Sequence, residues 1–252
     1  MRISFIIVEY YSIEDIHICV SSIIEELSLK CDYEIIISSN SMYGEKFQKE
    51  LISDNEDVLK WLFNKRNGGF AYAMNQGLKK AKGDILIIMN PDVKIKTGLL
   101  DMLSYFQSHE EIGVIAPKIV NTVGILQDSF RTFITPWIFI ARHWRRLFVH
   151  SQIKSVNSPQ KVDWVIGAFM AISRHSYLAV NGFDENYFLY CEDMDLCRRM
   201  YQKGYAVVYY PHAEIEYEGT RSARKSWKYA YIFLKSLFRY WKKFGMIPLP
   251  LK

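Results

Sequence analysis

The chain has 252 residues, of which 50% are hydrophobic and 15% are aromatic, so it can bury a substantial core. This composition excludes intrinsic disorder, a collagen-like repeat and a small disulfide-stapled protein. The formal net charge is +5, but nine Lys or Arg and no Asp or Glu lie from residue 221 onwards, so a slightly acidic body precedes a strongly basic tail.

The predicted elements of the first 120 residues alternate between short apolar runs and amphipathic stretches. Continuous apolar strands separated by helices are typical of a parallel sheet covered on both faces, so we expect an α/β, Rossmann-like fold. Ligands of such sheets bind at the carboxyl ends of the strands. In chain order, the pattern predicts strand 3–8, helix 13–27, strand 34–37, helix 45–52, strand 58–63, helix 71–81 and strand 84–89.

The second half is less regular, which suggests a mixed arrangement beside the parallel sheet. No apolar run approaches the roughly 20 residues that span a bilayer, and the chain opens on a strand-like run, so we expect neither a membrane span nor a signal peptide. The four cysteines fit no zinc spacing and indicate reduced thiols in the cytoplasm. The elements predicted here are strand 113–117, a loop and helix within 128–150, strand 162–173, helix 192–202 and strand 206–210.

An Asn90-Pro91-Asp92 triplet directly follows the buried strand 84–89. Proline stops the strand, so Asp92 is presented at its carboxyl end. A carboxylate in that position can hold Mg²⁺ or Mn²⁺ and bridge it to phosphates. The alternative interpretation is a turn that merely ends the strand.

Two glycines, Gly68 and Gly69, lie between a predicted strand and a predicted helix. Glycine allows close approach of a ligand and exposes the N–H groups of the helix start to an anion. Neither a Gly-x-Gly-x-x-Gly fingerprint nor a phosphate-binding P-loop motif is present. A simple glycine-rich turn is the alternative.

Three acids, Glu192, Asp193 and Asp195, crowd the start of a predicted helix after an aromatic run. Acids there suit the helix dipole, which is the structural interpretation. Closely spaced carboxylates also raise one another's pKa, which helps a general base to work near neutral pH.

The basic tail predicts an amphipathic helix, with Trp227, Tyr231, Leu234, Phe238 and Trp241 in one stripe and basic side chains on another face. Such a helix suits an anionic membrane surface, and a helix that docks its stripe on the core is the alternative. Nucleic acid is disfavoured, because the body is acidic and no nucleic-acid-binding motif is present.

Taken together, five ordered segments resemble glycosyltransferase family 2, and in particular the bacterial rhamnosyltransferases of cell-surface polysaccharide assembly. The resemblance extends to about residue 222 and implies a single GT-A domain over residues 1–252, with an inverting mechanism. It divides the chain into a nucleotide-sugar half (1–115), an acceptor half (116–222) and a basic C-terminal helix (223–252). The segments are 3–40, 66–78, 83–93, 162–172 and 182–199.

The resemblance also implies site roles. Asp92 matches the metal-binding acid of a DxD-like motif, Asp193 the base that deprotonates the acceptor, and Glu192 a neighbour that orients the acceptor. Positions that match donor contacts, or that shape the donor sugar and acceptor site, are Val8, Tyr10, Ser39, Asn40, Asn67, Gly69, Asn75, Asn90, Trp164 and Gly167. Arg131, or arginines near residue 221, are candidates to clamp the diphosphate.

The chain departs from the family pattern at three positions. Ser39 stands where the family has an Asp that reads the base, Tyr11 replaces an Asn, and Tyr217 replaces a metal-ligating His. Glu216 or Glu218 could take over from that His.

The expected function is transfer of a sugar, L-rhamnose from dTDP-rhamnose in the first place and a UDP-sugar otherwise, to a lipid-linked saccharide for O-antigen, capsule or a related polysaccharide. We expect Mg²⁺ or Mn²⁺ as cofactor and a cytoplasmic, peripheral position on the inner membrane. A non-catalytic scaffold of the same fold and a nucleotidyltransferase are the alternatives.

Overall fold

The computed structural model describes residues 2–27, 31–53, 58–145, 156–219 and 226–245, and all that follows concerns these ranges. The helices are α1 Ile13–Leu27, α2 Glu45–Ser53, α3 Phe70–Lys80, α4 Leu99–Gln107, α5 Pro136–Arg145, α6 Arg174–Ala179, α7 Glu192–Gln202 and α8 Trp227–Phe244. The strands are β1 Arg2–Glu9, β2 Asp32–Ser39, β3 Leu59–Phe63, β4 Ile85–Met89, β5 Lys94–Thr97, β6 Ile112–Val120, β7 Phe130–Arg131, β8 Gln160–Lys161, β9 Trp164–Val165, β10 Phe169–Ser173 and β11 Ala206–Glu216.

The main sheet has the strand order β3-β2-β1-β4-β10-β6-β11-β5, with β8 paired to β11. The first four strands in this order are parallel, which confirms the predicted parallel arrangement. Strand β10 is antiparallel to both β4 and β6, and β5 is antiparallel to β11. Strands from both halves of the chain therefore share one sheet, and the start of β10 lies beside the end of β4.

Both faces of the sheet are covered, because its central strands alternate their apolar side chains between two cores. Ile3, Phe5 and Ile7 of β1 pack into the core that includes α1 and α4. Ile6 and Val8 pack into the core that includes α3, α7 and α8. The carboxyl end of β1 is thus fixed from both sides.

Two sequence predictions about strands need correction. Residues 162–173 do not form one strand, because β9 ends at Val165 and β10 begins at Phe169, and the backbone N–H of Gly167 between them bonds a side chain instead of a strand. The last strand continues to Glu216, well past residue 210. The short strand β5 and the helix α4 were not predicted.

The helix α8 has one buried and one exposed aromatic face. Leu237 and Tyr240 are buried, and the indole N–H of Trp241 donates to the carbonyl of Ile134 at 2.7 Å. The alternative in which the whole predicted stripe docks on the core is therefore wrong for four of its five members, which are exposed: Trp227, Tyr231, Leu234 and Phe238. No helix in the described ranges has both the length and the apolar character of a membrane span.

Candidate active site

The residues after β4 place a carboxylate at the edge of the sheet. Asn90 continues the pairing of the strand by donating its backbone N–H to the carbonyl of Ala168, at 2.9 Å. The side chain of Asp92 follows in a turn and is open to solvent. Partial burial, with a contribution from the negative charge of Asp15, raises the pKa of Asp92 to about 6. Asp92 is thus at the strand end, as the triplet predicts.

Tyr217 lies beside this turn, where its hydroxyl accepts a hydrogen bond from Asn90 Nδ2 at 3.2 Å. Burial first, and then the charge of Asp92, raises the pKa of Tyr217 to about 12, so the phenol stays neutral. The charge of Asp193 acts on the same phenol. The charges of the predicted metal-binding acid and of the predicted base therefore both contribute to the raised pKa of one side chain.

The donor set around Asp92 fits a divalent ion that arrives with a diphosphate. Mg²⁺ commonly takes one or two carboxylates and fills its other positions with water and substrate phosphates. In the part of the chain that the structure describes, no cluster of three or more His, Cys, Asp or Glu forms a complete metal site. Glu216 is bonded by Lys96 at 3.4 Å, and Glu218 by Thr122 at 3.1 Å, so both acids are engaged elsewhere.

Asp193, near the start of α7, is held in a fixed orientation by two backbone groups. Its Oδ2 accepts from the N–H of Gly167 at 2.9 Å, and its Oδ1 from the N–H of Met194 at 2.8 Å. Burial raises the pKa of Asp193, although these hydrogen bonds and the positive charge of Arg131 act in the opposite direction. A raised pKa on an oriented carboxylate is what a general base needs.

Glu192 is 7% exposed, and its Oε2 has no hydrogen-bond partner among the described residues. Burial, followed by the negative charges of Asp193 and Asp195, raises the pKa of Glu192 well above its ordinary value. The raised pKa favours the protonated carboxyl, which can donate a hydrogen bond. Because a buried polar atom without a partner is costly, a ligand hydroxyl at this position would be stabilised.

The third acid of the predicted cluster, Asp195, is bound to other partners. It is fully buried, with Arg199 Nε at 2.5 Å and Lys243 Nζ at 2.7 Å. Asp195 is thus part of the framework that fixes α7, and the candidate catalytic pair consists of Glu192 and Asp193.

Gly167 lies against Asp193, where an added Cβ would stand 3.3 Å from the Asp193 Cβ. Trp164 is buried and donates its indole N–H to the carbonyl of Thr132 at 3.1 Å. The guanidinium of Arg131 lies 5.7 Å from the Trp164 ring centroid. Trp164 therefore supports the arginine whose charge reaches Asp193, while the arginine proposed near residue 221 lies outside the described residues.

A buried carboxylate that the sequence did not single out joins the ends of β1 and β2. Oε1 of the fully buried Glu9 accepts from the N–H of Ser12 at 2.9 Å, from Ser41 Oγ at 3.1 Å and from the Tyr43 hydroxyl at 2.9 Å. Its Oε2 accepts from Ser39 Oγ at 2.5 Å. Ser39, at the position predicted to contact the nucleotide base, is also fully buried, and its hydroxyl donates this hydrogen bond to Glu9.

Three of the predicted nucleotide contacts meet in one turn. Asn40 Nδ2 donates to the carbonyl of Gly69, and Asn67 Oδ1 accepts from the N–H of Gly69, both at 3.0 Å. Gly69 has a φ of 87°, and an added Cβ would lie 2.1 Å from the carbonyl oxygen of Phe188. The N–H of Phe70 donates to that same oxygen at 2.8 Å. This turn is therefore fastened to the segment that precedes α7.

Asn75 is not part of this turn, because all four hydrogen-bonding positions of its amide are used elsewhere. Oδ1 accepts from the Tyr177 hydroxyl and from the N–H of Phe183, and Nδ2 donates to the Phe183 carbonyl and to Glu185, over 2.9–3.0 Å. The structure thus places Asn75 where it fastens α3 to the loop after α6.

The loop after β1 borders an open cleft. Val8 is buried within the strand, whereas Tyr10 is exposed and packs edge-on against Tyr11 at 4.9 Å between ring centroids. Asp15, which lines this cleft, contributes its negative charge to the raised pKa of Asp92. The residues that line it are Tyr11, Ser12, Ile13, Glu14, Asp15 and Tyr43.

Sequence reasoning missed Glu9 and Tyr43. A glutamate at the end of an otherwise apolar strand is a usable signal, since a buried acid requires several donors. Tyr43 lies in a loop without periodicity, and no sequence signal identifies its role.

The fold defines a GT-A glycosyltransferase, and the chain belongs to glycosyltransferase family 2. The model of that family, described as "Glycosyl transferase family 2", matches residues 4–178. A second model, described as "N-terminal domain of galactosyltransferase", matches residues 148–222. The first range includes Asp92, and the second includes Glu192 and Asp193. The prediction of an enzyme is confirmed, in place of a scaffold or a nucleotidyltransferase.

Two curated relatives are both named as rhamnosyltransferases. The chain is 28% identical over 231 residues to "Rhamnosyltransferase WbbL" of Escherichia coli K12. The alignment covers 83% of this chain and 88% of that protein. It is 29% identical over 175 residues to the "N-acetylglucosaminyl-diphospho-decaprenol L-rhamnosyltransferase" of Mycobacterium tuberculosis. This alignment covers 63% of this chain and 57% of that protein. The chain is thus rhamnosyltransferase-like, as predicted.

Two solved structures share the fold. GalNAc-T7, solved with UDP, GalNAc and Mn²⁺, superposes with a TM-score of 0.70 at 18% identity, over 96% of this chain and 48% of that one. The mannosyltransferase PcManGT of Pyrobaculum calidifontis, solved with GDP-Man and Mn²⁺, superposes with a TM-score of 0.65 at 15% identity. This superposition covers 98% of this chain and 65% of that chain. At these identities the likeness establishes the GT-A fold, which confirms the predicted fold class.

Proposed function

We propose that this glycosyltransferase moves L-rhamnose from dTDP-rhamnose to a lipid-linked oligosaccharide, with inversion at the anomeric carbon. Both curated relatives are named as rhamnosyltransferases, and the name of one specifies an acceptor on a polyprenyl diphosphate. The product would serve bacterial cell-surface polysaccharide synthesis, such as that of O-antigen or capsule. We further propose that the enzyme acts in the cytoplasm, at the inner-membrane surface.

The observation that carries the proposal is the grouping of three side chains from distant parts of the chain. Asp92 follows β4, and the N–H of Asn90 in the same turn donates to the carbonyl of Ala168. Asp193, near the start of α7, accepts from the N–H of Gly167, the residue before Ala168, and Tyr217 is bonded by Asn90. A donor diphosphate at Asp92 would then present its anomeric carbon toward Asp193. The turn of Asn40, Asn67 and Gly69 supports a nucleotide on the same edge of the sheet.

In the proposed reaction, Asp193 takes the proton of the acceptor hydroxyl. The acceptor oxygen forms a bond to the anomeric carbon as the bond from that carbon to the diphosphate oxygen breaks, which releases the nucleoside diphosphate. The buried Glu192 offers its unpartnered Oε2 for a hydrogen bond with the acceptor sugar, and thereby orients the sugar. The N–H of Gly167 holds the Asp193 carboxylate in a fixed position.

Asp92 is the residue that would hold Mg²⁺ or Mn²⁺, and the ion would neutralise charge on the leaving diphosphate. Asn90 supports this position indirectly, because its side chain is bonded to Tyr217. The neutral phenol occupies the place of a further ligand, so this site would rely on the diphosphate and water for its remaining ligands.

The test of the donor site is calorimetry with dTDP, UDP, GDP and CMP, each with and without Mn²⁺, on the wild type and on Asp92→Asn. We expect Mn²⁺-dependent binding of dTDP that weakens in the variant. Tighter binding of another diphosphate would replace rhamnose by a sugar of that nucleotide. Absence of binding by all four would reject the proposed donor site.

The test of the acceptor is transfer from dTDP-rhamnose to an N-acetylglucosaminyl-diphospho-polyprenol, followed by mass spectrometry of the lipid product. A product heavier by one deoxyhexose is expected. The configuration of the new bond, read by NMR, checks inversion. Binding of dTDP without transfer would leave the donor proposal in place and overturn the choice of acceptor.

A further inference from the structure

The exposed face of α8 combines aromatic and basic side chains. The four exposed apolar residues recur at spacings of four, three and four, and the largest exposures are 84% for Trp227 and 65% for Phe238. No Asp or Glu occurs in this helix. Four exposed basic residues lie one position further along, on the neighbouring face: Lys228, Lys235, Arg239 and Lys242.

The neighbouring helix α5 adds to this exposed apolar surface. Phe139 of α5 packs against Phe233 and Trp241 of α8, with ring centroids 6.4 and 6.0 Å apart. On the same helix Trp137 is 75% exposed and Ile140 is 48% exposed. Large exposed apolar side chains are thus concentrated on two helices that pack together, which is uncommon on a surface that faces only water.

We propose that the exposed apolar side chains of α5 and α8, with the basic row of α8, form a docking face for an anionic lipid bilayer. Trp, Tyr and Phe are the side chains that enter the headgroup region, and each basic residue near such a surface adds to the attraction. A second copy of the chain seated symmetrically on this face would bring one basic row against another. The acidic headgroups of a bilayer would instead neutralise the positive charges of the basic row.

The buried side of α8 connects this docking face to the acceptor segment. Ser236 Oγ donates to the carbonyl of Leu189 at 2.8 Å, and Phe233 packs edge-on against Tyr190 at 5.9 Å. Leu189 and Tyr190 lie immediately before the catalytic pair. A bilayer bound to the outer face of α8 is therefore one helix away from the chain segment that leads to Glu192.

The docking face goes beyond the transfer reaction, and only its purpose rests on the proposed lipid-linked acceptor. The experiment is flotation of the full chain with vesicles of phosphatidylglycerol and phosphatidylcholine, and with vesicles of phosphatidylcholine alone. Two variants remove one property each: a triple change Trp227→Ser, Tyr231→Ser and Phe238→Ser, and replacement of the four basic residues by Gln. Since all these side chains are exposed, we expect both variants to fold.

The wild type is expected to float with anionic vesicles, and the basic-row variant to lose at least about tenfold in partition coefficient. The aromatic variant should lose binding to a similar degree. A matched control replaces four exposed lysines elsewhere, Lys46, Lys49, Lys79 and Lys80, by Gln, and it should float like the wild type.

Equal flotation of the wild type and either docking-face variant would overturn the proposal, as would wild-type protein that stays with the soluble fraction. Light scattering at several protein concentrations provides a second readout. A dimer that disappears in the aromatic variant would assign the face to a second copy of the chain. Binding of dTDP is measured on the same samples, so failure of the docking face is distinguishable from failure of the donor site.

Discussion

Lys243 Nζ in α8 lies 2.7 Å from Oδ2 of Asp195, and Asp195 is fully buried in α7. The same ammonium lies 2.7 Å from Asp184 in the loop between α6 and α7. One cation from the C-terminal helix therefore binds two acids of the acceptor side. The helix that carries the docking face is also a structural support of the helix that carries Asp193.

Lys243→Met should lower the free energy of unfolding by about 1–2 kcal/mol, because Asp195 then keeps only Arg199 as its cationic partner. The loss is smaller than for a fully buried pair, since the Lys243 side chain is 33% exposed. Urea unfolding measures the change. The neighbouring and exposed Lys242→Met is the control, and a similar loss in both variants would contradict this role of Lys243.

Asp193→Asn should lower the transfer rate by about 100- to 10,000-fold while leaving dTDP binding intact, because Asn cannot accept the proton. Glu192→Gln should have a much smaller effect, since Glu192 orients the acceptor in the proposed reaction and Gln can still form a hydrogen bond there. Steady-state kinetics in both substrates separate the two residues. Equal losses in the two variants would show that the roles have been assigned wrongly.

Asp92→Asn should separate stability from binding. The pKa of Asp92 is about 6 in the folded protein against an ordinary value of 3.8. Ionisation therefore costs folding free energy, and this cost is absent below the ordinary pKa, grows between the two values and is complete above pH 6. The uncharged variant should melt at a modestly higher temperature than wild type at neutral pH, with the difference vanishing near pH 3.5. Its Mn²⁺-dependent affinity for dTDP should fall by about tenfold or more.

Glu9→Gln should destabilise the protein by about 1–3 kcal/mol, because an amide turns donors toward the groups that now donate to the carboxylate. With the amide oxygen in the place of Oε1, the NH2 group would face the hydroxyl of Ser39, which would lose its acceptor, and weaker dTDP binding should accompany the loss. Glu14→Gln is the control, since Glu14 is exposed on the rim of the same cleft. Unchanged melting of Glu9→Gln would argue against the network.

Gly69→Ala should cost more than the strain of its backbone alone. Gly124 has a similar φ, 79° against 87°, but no atom lies within 4 Å of a Cβ added there. Gly124→Ala should therefore cost about 1–2 kcal/mol, the ordinary penalty of a left-handed residue. Gly69→Ala should exceed that value, because its φ of 87° and ψ of −179° lie in a region that only glycine adopts readily and because the carbonyl of Phe188 must also move, and it should also weaken dTDP binding. Similar losses would show that the contact with Phe188 is unimportant.

The first half of the fold was readable from sequence because its parallel strands are buried on both faces and appear as continuous apolar runs. A short apolar run such as the one that ends at Met89 predicts a buried strand directly. Strand β10 was not placed, because an antiparallel strand inserted between β4 and β6 depends on contacts with residues far along the chain. The break at Gly167 has the same origin, since its partner is Asp193.

The candidate site was predictable where a motif couples local structure to chemistry, as at Asp92 and at the pair Glu192 and Asp193. Hydrogen bonding could not be predicted in the same way. A sequence shows that Asn75 is polar but not that Tyr177, Phe183 and Glu185 saturate its amide. The sequence likewise cannot show that the Ser39 hydroxyl donates a hydrogen bond to Glu9, because that bond requires the ends of two strands to be adjacent.

The hydrogen bond from Phe70 to the carbonyl of Phe188 has a consequence for attempts to recombine enzymes of this family. A chimera joined near residue 115 would bring a foreign acceptor segment against the Gly69 turn, where there is no room for a Cβ and one carbonyl must be in the right place. Such a hybrid would have a mismatched contact between the Gly69 turn and the segment before α7. Exchanges that keep the Gly69 turn together with the segment before α7 should preserve this contact.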